Sequence, residues 1–211
     1  NEYYGALGVG STVSIGKSRT LINTYLWALK FKTTQLVSDI VFEITSLFSS
    51  SDGQLKNTPG ETLMSRMIGE SLISLNSDLF NAGIEQFEGN LDDILEMFKD
   101  ENIPVIIGTL TCNLKDLKPF VSVKENNLPA ADEIYMNARK EYESGNIDKA
   151  AELFLYAKEL DALRFRAPVK MNEVISTLAG KYNLHFVDIH SAFKASSKDN
   201  IVGYNLTVDH L

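Results

Sequence analysis

The stretch IPVIIGTL, Ile103 to Leu110, decides the fold class of this chain. It is a short, continuous run of apolar and β-branched residues, which is typical of a parallel strand covered on both faces. A second such run, HFVDIH, occupies His185 to His190. Helical periodicity precedes each run, at 77–99 and at 168–182. A helix that leads into a buried strand, twice over, predicts an α/β domain with a parallel sheet.

Two strands do not make a complete sheet. A parallel sheet of two strands can neither bury both of its faces nor protect its edges. We therefore expect the remaining strands to come from elsewhere. The chain starts at Asn1 without an initiator methionine, which suggests a piece excised from something longer.

The region before the first strand is predicted to be mainly helical. Apolar residues at helical spacing predict helices at Thr20–Leu29 and Leu36–Phe48, which we expect to pair as a hairpin. The Ser, Gly, Asn and Pro content of 49–62 indicates an exposed loop. A long amphipathic helix follows at Ser77–Lys99. Residues 18–99 are accordingly interpreted as a helical insertion.

A helical hairpin is predicted between the strands, over residues 130–162. Its small and aromatic residues stand at the offsets found in a tetratricopeptide repeat. Only one copy is present, and a solenoid needs about three repeats to bury a continuous core. A hairpin packed on the main domain is therefore favoured over a superhelical peptide groove, although a protein partner bound through the hairpin stays open. The residues at those offsets are Ala138, Gly145, Ala150, Phe154 and Ala157.

The composition argues against nucleic acid as a partner and against a membrane-spanning segment. The chain has 28 acidic and 20 basic residues and a net charge of −8, and no local basic patch stands out, so nucleic acid is not expected as a partner. The most apolar segment, Phe31–Phe48, is interrupted by Lys32, Asp39 and Glu43. It is therefore not expected to span a membrane, which takes about 20 predominantly apolar residues.

No cofactor or metal is predicted. The stretch GVGSTVSIGKS, Gly8 to Ser18, is similar to a phosphate-binding loop, but Ser11 stands where that motif needs its first glycine. No hydrophobic strand leads into the stretch, so a glycine-rich surface turn is the better interpretation. One cysteine and three scattered histidines do not make a metal site.

Ligands of open parallel sheets bind beyond the carboxyl ends of the strands. This rule points to the loop Thr109–Lys115, which carries Cys112 and Asn113, and to His190. Cys112 would need a basic partner to act as a nucleophile, and none is identifiable in the sequence, so it is interpreted as a structural or incidental thiol. His185 opens the second strand and His190 closes it, and both are interpreted as rim or capping side chains.

Five segments occur in a familiar order: NEYYG, IPVIIGTL, ELDALRFRAP, FVDI and TVDHL. In this order they resemble an SGNH (GDSL-type) hydrolase, in particular versions with helical, tetratricopeptide-like insertions. The resemblance implies a flavodoxin-like three-layer fold, here incomplete and carrying large helical insertions. It also implies hydrolysis of a small-molecule ester or an acylated carbohydrate by a Ser-His-Asp triad, in which a histidine activates the serine and preorganised donors stabilise the oxyanion.

The resemblance assigns two site residues. Asn1 matches the oxyanion-hole asparagine, with Glu2 in the acidic position after it, and Asp209 matches the triad acid. The glycine before that asparagine is absent, the catalytic histidine is expected three residues after Asp209, and the nucleophile block is expected before Asn1. His210 is out of register for the catalytic role. The chain by itself is therefore expected to have no serine-esterase activity.

One short motif imitates the nucleophile block. GESL, Gly69 to Leu72, has Glu70 in place of the aspartate of Gly-Asp-Ser-Leu. It follows the asparagine motif, whereas the family places the nucleophile before it, and no buried strand leads into it. Ser71 is therefore interpreted as part of a helix or loop in the insertion.

Overall fold

The computed structural model describes residues 3–4, 8–9, 19–32, 72–125 and 128–208. The chain divides into two units, Tyr3–Ser71 and Leu72–Leu211. The first unit contains helix α1, Arg19–Ala28, where the sequence predicted a helix. The helix predicted at 36–48 and the loop predicted at 49–62 lie outside the described residues.

The second unit alternates helices with short strands. Its helices agree with those predicted before each strand and in the hairpin between them. The first of them begins after Ser77, whose Oγ accepts a hydrogen bond of 3.2 Å from the amide of Phe80 and so caps the helix. The elements, in chain order, are α2 Asp78–Asp100, β1 Ile106–Gly108, α3 Ala131–Glu143, α4 Ile147–Leu160, α5 Val169–Lys181, β2 His185–Val187, α6 Ile189–Ser196 and a 3-10 turn at Lys198–Asn200.

Strands β1 and β2 form a parallel pair in which Ile106 lies opposite His185 and Gly108 lies opposite Val187. Helix α2 precedes β1, and α5 precedes β2. The predicted combination of helices with a parallel sheet is therefore confirmed. Gly108 permits a close approach at the end of β1, because a Cβ at this position would overlap the side chain of Ile189.

The apolar runs are typical of strands covered on both faces, but β1 and β2 are largely exposed, as expected for a parallel sheet with only these two strands. Each strand has three residues, and the side chains of Ile106, Val187 and Phe186 are 74%, 46% and 42% exposed. Within the described residues each strand has only one hydrogen-bonded neighbour. A two-stranded sheet is too narrow to bury apolar side chains on both faces, however apolar its sequence.

The predicted hairpin, helices α3 and α4, contains a tightly packed core. Ala138, Ala150, Phe154 and Ile201 form one cluster, and each is at most 1% exposed. The turn between the helices is made by Gly145, whose φ of 82° is readily adopted only by glycine. The small residues let the two helices approach each other around the Phe154 ring.

Ala150→Leu is expected to lower the free energy of unfolding by about 1–3 kcal/mol, because a larger side chain overpacks this cluster. Thermal and urea unfolding would measure the change. Ala192→Leu is the matched control, since Ala192 is an exposed residue of α6 and leucine is nearly as good a helix former as alanine. Equal stability of the two variants would show that the helices are not closely packed at Ala150.

A buried polar network fixes the loops beside the sheet. The Asp161 carboxylate accepts hydrogen bonds from the amides of Phe120, Val121 and Leu163, at 2.8, 3.0 and 3.1 Å. It also pairs with the Arg166 guanidinium at 3.0 Å, and both side chains are at most 3% exposed. Four donors therefore converge on one carboxylate, which holds 120–121 against 161–166.

Arg166 extends this network towards the sheet. Its Nη1 donates to the carbonyl oxygens of Asn113 and Leu117, at 3.2 and 3.0 Å. The neighbouring Arg164 donates through Nε to the carbonyl of Ile73 at 2.8 Å and lies 5.0 Å from the centre of the Phe80 ring. The segment ELDALRFRAP thus organises the backbone that carries the loop after β1.

No helix within the described ranges is long and apolar enough to cross a membrane.

Candidate functional site

The carboxyl ends of β1 and β2 are joined by a small hydrogen-bond clamp. The Thr109 hydroxyl donates to Oδ1 of Asp188 at 3.1 Å and accepts from the backbone N–H of His190 at 2.8 Å. The same Oδ1 accepts from the amide of Ser191 at 3.0 Å, so Asp188 also caps α6. These bonds lower the pKa of the Asp188 carboxyl, chiefly through Ser191, and keep it ionised.

Helix α5 holds the other side of this strand end. The Asn172 side chain accepts from the amide of Leu110 at 2.7 Å and donates back to its carbonyl at 2.8 Å. The backbone after β1 is therefore fixed before it enters the loop that carries Cys112 and Asn113.

His190 projects from the clamp into two cavities. It lies in the first turn of α6, not at the end of a strand, which corrects the sequence interpretation. The turn is fixed by the hydrogen bond that the backbone N–H of His190 donates to the Thr109 hydroxyl and by the Asp188 cap. Burial lowers the pKa of its imidazole below 6.5, while the Asp188 carboxylate acts in the opposite direction. The imidazole is therefore mostly neutral at pH 7 and can accept a proton. His185 opens β2 as predicted and is exposed.

The smaller cavity is lined by Thr111, Cys112, Lys158, Asn172 and His190, among others, and its volume is about 20 Å³. Such a space holds roughly one water molecule. Burial raises the pKa of the Cys112 thiol, although Lys158 and Arg166 partly oppose the shift. The thiol is therefore the dominant form at neutral pH, which agrees with a structural role for Cys112.

Asn113 shapes the loop from within. Its side chain is fully buried, and its Oδ1 accepts from the amide of Asp116 at 2.9 Å. Its carbonyl accepts from Arg166. This arrangement makes Asn113 a turn-forming residue of the loop after β1.

The two residues assigned through the family resemblance, Asn1 and Asp209, lie outside the described part of the chain. Ser71 of the GESL motif and residues Gly10–Ser18 of the glycine-rich stretch also lie outside it. The clamp of Thr109 and Asp188 was not predicted from the sequence. Its only signal was an aspartate placed directly after a strand and before a helix, which is a capping position.

A larger groove lies beside the clamp, with a volume of about 470 Å³. Helix α4 contributes one wall, and α6, including His190, contributes another.

No group of three or more histidine, cysteine, aspartate or glutamate side chains suited to a metal ion occurs among the residues with described positions.

The pKa of His190 is expected to lie below 6.5 and to fall further in Asp188→Asn. Asparagine keeps the acceptor oxygen and the helix cap but removes the charge that favours the imidazolium. In the wild-type protein, the lowered pKa means that the unfolded chain binds a proton at His190 more readily than the folded chain does. His190 therefore lowers the free energy of unfolding as the pH falls through 6.5. Titration of the imidazole signals by NMR would measure both values. A wild-type pKa above 6.5, or a higher pKa in the variant, would contradict this assignment.

Comparison with known proteins identifies no relative of this chain. The chain matches no protein-family model, no curated protein and no solved structure.

Proposed function

We propose that this chain is part of a Ser-His-Asp acyl hydrolase of the SGNH type, which acts on a small-molecule ester or an acylated carbohydrate. The observation that carries the proposal is the parallel pairing of β1 with β2, each preceded by a helix and followed by polar residues. In a flavodoxin-like sheet of strand order 2-1-3-4-5, the last two strands are such neighbours. The segments IPVIIGTL and FVDI would occupy those positions.

The exposed sheet supports a larger, flavodoxin-like domain. Ile106 and Val187 are apolar but largely exposed, and a parallel sheet normally has both faces covered. Further strands beside β1, with helices on both faces, would cover them. The three-layer fold is thus part of the proposal.

The proposed chemistry assigns one role to each terminal residue. The Asn1 side-chain amide would donate a hydrogen bond to the oxyanion that forms when the serine attacks the ester carbonyl. Asp209 would accept a hydrogen bond from the catalytic histidine and hold it in the tautomer that takes the serine proton. The histidine would then give that proton to the departing alkoxide, and water would release the acyl group.

The coding sequence around this chain tests the proposal. It should contain a Gly-Asp-Ser-like block before Asn1 and a histidine codon three residues after Asp209. Absence of both would refute the acyl-hydrolase assignment. Presence of both would justify assaying the encoded protein with p-nitrophenyl acetate.

The alternative, a non-catalytic interaction module built on the hairpin, has less support. Ala138, Ala150 and Phe154 pack within the second unit against Ile201. The small and aromatic residues of the repeat-like pattern are therefore used internally and do not form a free binding face.

A further inference from the structure

The segment after α6 and its 3-10 turn is attached to the loop after β1. The carbonyl oxygen of Val202 accepts hydrogen bonds from the backbone amides of Leu114 and Lys115, at 2.9 and 3.1 Å. The carboxylate of Asp116 accepts one from the backbone amide of Tyr204 at 2.8 Å. Three consecutive residues of the loop therefore hold this segment in place.

Gly203 lies at the centre of this attachment, where there is no space for a side chain. A Cβ at this position would lie 2.3 Å from Oδ2 of Asp116 and 3.1 Å from Cε of Lys115. The first of these distances is too short for a non-bonded contact, so only glycine fits without a shift of the carboxylate. The Asp116 carboxylate is thus packed directly against the segment as well as hydrogen-bonded to it.

The same glycine begins a turn that fixes the residues beyond the attachment. Its carbonyl oxygen accepts from the backbone amides of Leu206 and Thr207, both at 3.1 Å. The Thr207 hydroxyl donates to the same oxygen at 3.2 Å, and Thr207 is buried. Asp209 follows Thr207 by two residues, and two residues of chain span at most about 7 Å. The position of Thr207 therefore limits where Asp209 can be.

We propose that Asp116 is a positioning residue for the triad acid, Asp209. It acts through the Tyr204 amide and the Gly203 turn, and this role rests on the acyl-hydrolase proposal. A triad acid must hold the catalytic histidine in one tautomer and orientation, and a misplacement of about 1 Å can lower the rate about 100-fold. Hydrogen bonds from groups outside the reacting set hold catalytic side chains to such a tolerance. The loop that carries Asp116 is itself fixed by Arg166.

In the proposed acyl hydrolase, Asp116→Ala is expected to lower kcat about 10- to 100-fold with little change in KM, because the triad acid does not bind the ester. Gly203→Ala should lower kcat in the same way, because its methyl group would displace the Asp116 carboxylate. Asp116→Asn should keep most of kcat, since its amide oxygen can accept the same hydrogen bond from Tyr204. Lys118→Ala is the matched control, an exposed residue of the same loop, and its kcat should stay within about twofold of the wild-type value. Steady-state hydrolysis of p-nitrophenyl acetate by the protein encoded by the full gene would measure both constants.

A double-mutant cycle separates positioning from a general structural effect. If Asp116 acts through Asp209, Asp116→Ala should change kcat by less than about twofold in a protein that already carries Asp209→Asn. A general structural effect would instead lower kcat by the same factor in both backgrounds.

Hydrogen exchange tests the contact itself and does not depend on activity. The Tyr204 amide, followed by NMR, is expected to exchange at least about tenfold faster in Asp116→Ala than in the wild type or in Asp116→Asn. Unchanged exchange would overturn this inference alone. So would an active wild type whose kcat is unaffected by Asp116→Ala or falls equally in both backgrounds. A wild-type protein that hydrolyses no ester would instead refute the acyl-hydrolase proposal, and with it the catalytic role given to Asp116.

Discussion

Asp161→Ala is expected to lower the free energy of unfolding by about 3–5 kcal/mol, because it leaves a buried guanidinium without its partner. Arg166 is 2% exposed as a side chain and pairs with Asp161 at 3.0 Å. The substitution also removes the acceptor for the amides of Phe120, Val121 and Leu163. Urea unfolding would measure the loss.

Two further variants separate the buried pair from a general effect of charge removal. Arg139→Ala, which breaks an exposed pair with Glu143, is expected to change stability by less than about 0.5 kcal/mol. Asp161→Ala combined with Arg166→Met should cost less than the sum of its single changes, because no unpaired buried charge remains. A loss below about 1 kcal/mol in Asp161→Ala would contradict the role given to this network.

In the proposed acyl hydrolase, Asp209→Asn is expected to lower kcat by about 10⁴-fold, with little change in KM. Asparagine keeps the size of the aspartate but presents the wrong hydrogen-bonding group to the catalytic histidine, which then adopts the wrong tautomer. Steady-state ester hydrolysis would measure both constants.

The matched control for this prediction is Asp100→Asn, which changes an exposed aspartate at the end of α2. Its kcat is expected to stay within about twofold of the wild-type value. A similar kcat for Asp209→Asn and the control would remove Asp209 from the proposed triad.

The helical part of the second unit could be predicted from the sequence because its signals are local. Apolar periodicity located α2 and α5, and the offsets of Ala150 and Phe154 located the hairpin. In each case, residues within one or two turns carry the information. The ends of these helices differ from the prediction by only a residue or two.

The burial of the strands could not be predicted in the same way. The run IPVIIGTL is apolar, but Ile106 is 74% exposed. Hydrophobicity indicates that a strand is suited to a buried position. Burial also requires neighbouring strands and covering helices, and a local pattern does not report those neighbours.

The polar network and the strand-end clamp depend on contacts between distant parts of the chain. Asp161 binds residues about 40 positions away, and Thr109 binds Asp188 about 80 positions away. Arginines are usually exposed, so the burial of Arg164 and Arg166 has no signal in their own sequence surroundings. His190 was placed at a strand end because β2 was predicted three residues too long.

Active-site labelling tests the central proposal, a Ser-His-Asp acyl hydrolase, most directly. The protein encoded by the full gene and the 211-residue chain would each be treated with an alkyl phosphonate probe for activated serines, and the labelled residue mapped by mass spectrometry. We predict stoichiometric labelling of a serine before Asn1 in the encoded protein and no labelling of the 211-residue chain, because serine, histidine and acid act as a unit. Labelling of the 211-residue chain that disappears in Ser71→Ala would contradict the motif order on which the proposal rests.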